Sequence, residues 1–160
     1  MKKSYLKGLT FGIASGIVTT LGLMVGLYSG THSKLAVLGG ILTIAIADAM
    51  SDAFGMHLSE ESSENTDHPE IWESMVSTFL AKLIIALTFA FPVIFLELKM
   101  AIFVSCAWAL LLLGIISIFI AGWRKESKTH AIVEHWGIAT AVVIISFYVG
   151  VLIDKFFGAV

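Results

Sequence analysis

Cysteine and charge are scarce in this chain. There is a single cysteine, Cys106, so no intrachain disulfide and no cysteine-built metal cluster is encoded. It lies inside an apolar run and reads as a small packing residue. Charged residues make up only 14% of the 160 positions, far too few to coat a water-soluble domain of this size. Also missing are a nucleophile elbow, a phosphate loop, a His-Glu-x-x-His zinc motif and a dinucleotide fingerprint. No enzyme is therefore expected, and no nucleic-acid partner. The segment following Lys2, Lys3 and Lys7 lacks a clear signal-peptide cleavage pattern and is too long for one, so it reads as a retained helix. The absence of a transit-like segment points to a prokaryotic plasma membrane.

What is abundant is apolar side chain, 58% of the residues, with a mean hydropathy of +0.92. It is gathered into runs of about 20 residues or more, each able to cross a hydrocarbon layer roughly 30 Å thick at about 1.5 Å per residue. The runs predict an all-α membrane protein of five transmembrane helices, near 5–29, 35–58, 72–97, 100–122 and 131–154, forming one domain. Short connections make consecutive helices antiparallel neighbours. Lys2, Lys3 and Lys7 at the N-terminus, with Arg124, Lys125 and Lys128 between the fourth and fifth helices, outweigh Lys34, Lys99 and Lys155 on the other side. The positive-inside rule then puts the N-terminus in the cytoplasm. The same orientation makes Ser59 to Glu73 a cytoplasmic segment with six acids and no base. It reads either as a solvated hinge or as a weak cation collector through Glu61, Glu64 and nearby His57.

The second helix holds the chemistry. Asp48, Asp52, Met56 and Glu60 recur every fourth residue and share one helical face. An Asp near the bilayer centre costs on the order of 2.5–3.5 kcal/mol on insertion scales, so two of them a turn apart require a cation, a proton, water or a basic partner. Protonating one carboxyl or binding a divalent ion relieves their mutual repulsion, which couples proton and metal occupancy. Carboxylates suit Mn²⁺ and Fe²⁺, and a neighbouring thioether disfavours Mg²⁺ and Ca²⁺. The competing reading is structural: Lys82, in the middle of the third helix, forms a buried ion pair with Asp48 or Asp52. One lysine cannot neutralise both. Met24 and Met50 read as packing residues.

Gly8, Gly12 and Gly16 recur every four residues along the first helix, and Gly22, Gly26 and Gly30 form a second such face. These stripes permit close helix approach, either within the chain against the second helix, with its Gly39 and Gly40, or across a homodimer in which the first helix lines a pathway. Ser15, Thr19 and Thr20 are polar groups on that helix able to face such a path or bond to backbone carbonyls. Pro92 is expected to kink the third helix about a turn before its end. His130, Glu134 and His135 at the start of the fifth read either as a surface ion-pair group or as a weak metal cluster.

FGIASGIVTTLGLMVGL followed by ADAMSDAFGMHLSEESSE resembles the first two helices of the vacuolar iron transporter family. TFLAKLIIALTFAFPVIF is similar to that family's third helix and EHWGIATAVVIISFYVGVLI to its fifth, with Gly137, Tyr148 and Gly150 in matching places. The resemblance spans nearly the whole chain. It implies a five-helix dimeric transporter that moves Fe²⁺ or Mn²⁺ out of the cytosol in exchange for protons, with no permanently bound cofactor. Three departures stand out. Ser15 replaces an aspartate of the family's first helix, Asp52 and Met56 stand where the family has methionine and glutamate, and the cytoplasmic metal-binding insertion is reduced to the stretch around Glu60 to Glu73. The expected metal residues are thus Asp48, Asp52, Met56 and Glu60, with Ser15, Thr19 and Lys82 along the pathway. The alternative is a non-transporting membrane protein whose acids are satisfied by Lys82 and whose glycines serve assembly.

Overall fold

A computed structural model describes residues 3–63 and 67–158. Among them there is no strand, and five helices are long and apolar enough to span a membrane: α1 (Lys3–Thr31), α2 (Lys34–Glu61), α3 (His68–Phe95), α4 (Leu98–Arg124) and α5 (Lys128–Phe157). Each is longer than its apolar run, because the polar flanks continue the helix beyond the hydrocarbon layer. Consequently most of the acidic stretch read as a hinge is helical. Glu60 and Glu61 close α2, Glu70 and Glu73 lie in the first turns of α3, and Glu64 falls outside the described residues.

The junctions are tight. His32, with φ 51°, turns the chain out of α1 in the left-handed region, and Lys125, with φ 56°, does the same at the end of α4. Ser33 and Ser127 then cap α2 and α5, accepting from the amides of Ala36 and His130. At the opposite end of α3, Lys34 Nζ donates to the carbonyls of Ile94 and Leu96 at 3.1 and 3.0 Å, satisfying acceptors the helix leaves unpaired.

Two irregularities interrupt the spans. Residues Ile44–Asp48 of α2 form a π-helical turn. In α3 the helix breaks at Phe89, three residues before Pro92, which has no N–H to offer the Thr88 carbonyl. The interruption falls where the proline was expected to disturb the helix.

α1 is the central helix, half buried along its apolar stretch and touching all four others. Its glycine faces explain how. A Cβ on Gly8 would collide with Ser77 Oγ and the Ser74 carbonyl, and one on Gly12 with the Thr78 backbone and Ala81, so this stripe seats α3. Thr78 Oγ1 donates to the Gly8 carbonyl at 3.2 Å across the same contact. Gly22, Gly26 and Gly30 seat α5 against Val142, Ser146 and Gly150. The stripe of Gly8, Gly12 and Gly16 is thus filled within the chain and is not the surface that a second copy would use. The partner is α3 rather than α2, since Gly39 meets nothing and Gly40 meets only α1 leucine tips. Between these contacts lies an apolar core of Ile17, Leu21, Met24, Val37, Ile41, Phe89, Val93 and Leu113.

Candidate functional site

Asp48 ends the π turn at the middle of α2, and Asp52 follows one α-helical turn later. A π turn inserts an extra residue into the helical repeat and rotates what precedes it, a device common where a helix presents functional groups. Facing the two acids is Lys82 of α3, with no exposed surface at all. Its Nζ lies 2.5 Å from Oδ2 of Asp48 and 2.5 Å from Oδ2 of Asp52. It also donates to Ser15 Oγ at 3.0 Å, and Ser15 in turn donates to Asp52 Oδ2 at 2.6 Å. The three elements are brought together by the close approach of α1 and α3 at Gly12 and Gly16, which places Ser15 at the lysine.

The two carboxylates are not equivalent. Asp52 receives directed hydrogen bonds from Lys82 and Ser15. Asp48 Oδ2 is buried and pairs with the Lys82 ammonium, without a second donor such as the Ser15 hydroxyl. With every group ionised the centre carries one net negative charge, because one ammonium faces two carboxylates. The side chains of Asp48 and Asp52 are 38% and 23% exposed, so the acids open toward the outside of the bundle while the lysine is sealed behind them.

Further along the stripe, Met56 is half-buried and Glu60 is only 4% exposed. Glu60 pairs with Lys7 of α1 at 2.5 Å. This second ion pair borders a cavity of about 540 Å³ at the end of the bundle, lined by Lys3, Lys7, Glu60, Glu70, Trp123 and Arg124. His57 stands 3.9 Å from Glu61 and sets its ring edge-on to Trp72, away from the acid pair. Thr19 Oγ1 donates to the Ser15 carbonyl at 2.8 Å. Met24 is core and Met50 is exposed.

The structure thus brings Asp48, Asp52, Lys82 and Ser15 into one centre, with Thr19 adjoining it, and ties Glu60 to a different lysine. Among the described residues no three His, Cys, Asp or Glu side chains gather as a metal site. The proposed group of His130, Glu134 and His135 is split: His130 and Glu134 face each other at 3.9 Å on the exposed surface, whereas His135 turns inward to Ser117 of α4. The π turn, the Lys7 to Glu60 pair and the Ser117 to His135 contact escaped the sequence reading. Only the last had a signal, a serine and a histidine within apolar helices.

No protein-family model matches the sequence, and no curated protein matches it. Fold and composition define an all-helical membrane protein with five candidate spans and an ionisable centre between three of them.

Proposed function

We propose that this protein is a transporter of divalent transition-metal cations, Fe²⁺ or Mn²⁺, that exports them from the cytosol in exchange for protons, with Asp48 and Asp52 as its cation site. The observation that carries this is the charge imbalance at Lys82: two carboxylates held by one ammonium, only one of them with a hydroxyl donor as well, at the middle of a membrane span. A centre left one charge short in low-dielectric surroundings takes up a proton or a cation. Lys82 occupies the position between the carboxylates that a cation would share, so it acts as an internal substitute that holds the acids while no ion is bound. An arriving divalent ion competes with the ammonium for the same oxygens.

The openness of the two acids supports a homodimer. Leu42, Ile46, Met50, Phe54 and Leu58 form an exposed apolar stripe along α2, and the acid face runs beside it. Carboxylates half-open to hydrocarbon are costly, whereas a second copy packed on this stripe sets two acid pairs around a shared path and supplies ligands that one copy lacks. In this reading the N-terminus lies in the cytoplasm, and Glu60 and Met56 lead from the cytoplasmic end to the centre.

Cation flux into proteoliposomes tests the proposal. The parent is expected to carry Mn²⁺ or Fe²⁺, and Asp48→Asn and Asp52→Asn to lose at least tenfold of that flux while remaining folded. A parent that moves neither ion sinks the proposal. The second reading, a structural centre with no transport, is favoured by the contact of Lys82 with both carboxylates. It predicts that the same Asn variants change only thermal stability.

A further inference from the structure

Two cavities between α1 and α4 join into one groove. The outer one, of about 540 Å³ at the end of the bundle, is bordered by Lys3, Lys7 and Thr10 of α1 and by Ile120, Trp123 and Arg124 of α4. The inner one, of about 330 Å³, takes over at the next residue of α1, between Phe11, Ala14 and Val18 on one side and Leu113, Ile116 and Ile120 on the other. Ile120 lines both. From Thr10 to Thr19, the last α1 residue along it, the inner part runs about 14 Å, close to the half-thickness of a hydrocarbon layer roughly 30 Å across. The groove opens sideways from the bundle, where Phe11, Phe119 and Ile138 stay exposed.

Its chemistry changes along its length. The inner part is apolar in effect, because the hydroxyl of Ser15 is bonded to Asp52 and Lys82, and His135 Nδ1 lies 2.7 Å from Ser117 Oγ. That is a slot for hydrocarbon. The outer part gathers Lys3, Lys7 and Arg124 with Glu60 and Glu70, three cations and two carboxylates. Lys7 and Glu60 satisfy each other at 2.5 Å, and Arg124 commits its Nε to Glu126 at 2.9 Å. Among the described residues this leaves the Lys3 ammonium, the Nη groups of Arg124 and the Glu70 carboxylate without a charged partner. Beside them Trp123 stacks on Phe119, ring centroids 6.4 Å apart, and an indole is the side chain best suited to the headgroup level of a membrane.

A phosphate diester fits the two cations, a primary ammonium fits the acid, and an acyl chain fits the slot. Free phosphate, or a lipid whose headgroup carries only a negative charge, meets the cations but leaves Glu70 facing it uncompensated. We propose that the groove between α1 and α4 holds one membrane phospholipid of the ethanolamine class, with its phosphate on Lys3 and Arg124, its ammonium on Glu70 and one acyl chain along the inner crevice. The site is separate from the Asp48, Asp52 and Lys82 centre. It holds whether or not the chain carries cations.

Native mass spectrometry of the full chain in detergent, titrated with palmitoyl-oleoyl phosphatidylethanolamine or with the matching phosphatidylglycerol, tests this. The ethanolamine lipid is expected to bind about fivefold more tightly, as one partly exposed ion pair allows. Glu70→Gln should erase that preference. Lys3→Gln combined with Arg124→Gln should weaken both lipids about tenfold, since both present a phosphate. Ala14→Phe fills the crevice and should weaken both by a similar factor; Ile116→Phe serves the same purpose if Ala14→Phe does not fold. Glycerophosphoethanolamine, the same headgroup without chains, should fail to displace the lipid at equal concentration. Displacement by it marks a site for soluble phosphate compounds and overturns the proposal. Equal affinity of the parent for the two lipids overturns it as well, and so does lipid binding indifferent to all these substitutions, which marks a non-specific boundary layer.

Discussion

Lys82 is the side chain on which the centre turns, because its removal leaves two carboxylates facing each other within a membrane span without a counter-charge. Breaking an ion pair of this kind from one side costs about 3–5 kcal/mol, much more than replacing the whole cluster with neutral groups. Lys82→Ala is therefore expected to lose roughly 3 kcal/mol of stability in a reversible denaturation experiment in detergent. Adding Asp48→Asn and Asp52→Asn to it should recover most of that loss. Recovery distinguishes uncompensated charge from lost packing, which the extra substitutions cannot restore. The sequence was informative here: two aspartates a turn apart and one lysine in another apolar run called for each other. What it did not reveal was the selectivity of the bonds. That the Ser15 hydroxyl serves Asp52 and not Asp48 depends on the approach of α1 to α3, which is not written in residue spacing.

The glycines of α1 show how a helix pattern can be legible while its partner is not. Their four-residue repeat announced close approach, but the same repeat suits α2, α3, α5 or a second copy equally well, and only the assembled bundle selects among them. Because Gly8 and Gly12 lie directly against α3 backbone, adding volume there forces the two helices apart. Gly12→Val is expected to cost about 1–3 kcal/mol and to weaken the Ser15 to Lys82 contact with it. Gly39→Ala, on an open face of α2, should instead be neutral or gain up to about 1 kcal/mol from better helix propensity. Thermal unfolding of the two variants in one detergent checks the contrast. Equal losses would mean that the α1 to α3 approach is looser than this geometry. Pro92 was readable because its effect is covalent and local. The π turn left no such mark; its Ile44 and Ala45 are buried against Ala86, Leu23 and Leu83, neighbours that residue spacing does not name.

For the bundle as a unit, the uneven distribution of covered surface is the useful observation. α1 is half buried along its apolar stretch, whereas α2 and α5 are 28% and 11% buried, and α2 carries an open apolar stripe beside the Asp48 and Asp52 pair. If two copies meet there, Ser51→Cys in a Cys106→Ser background should form a disulfide-linked dimer in membranes under mild oxidant, and Ile145→Cys on the open side of α5 should not. Cross-linking of Ile145→Cys alone would place the interface elsewhere. Helix number and apolar faces were legible in the sequence because hydropathy is additive along a chain; the arrangement of five similar spans was not, since many packings bury the same residues. α5 carries one more consequence. At 30 residues it is about 45 Å long, well beyond the roughly 30 Å of hydrocarbon it crosses, and it is anchored mainly along one glycine edge of α1. Its polar ends take up much of that excess outside the hydrocarbon, and because the close contact runs along a single edge, α5 is the span of the bundle free to lean when the bilayer thins.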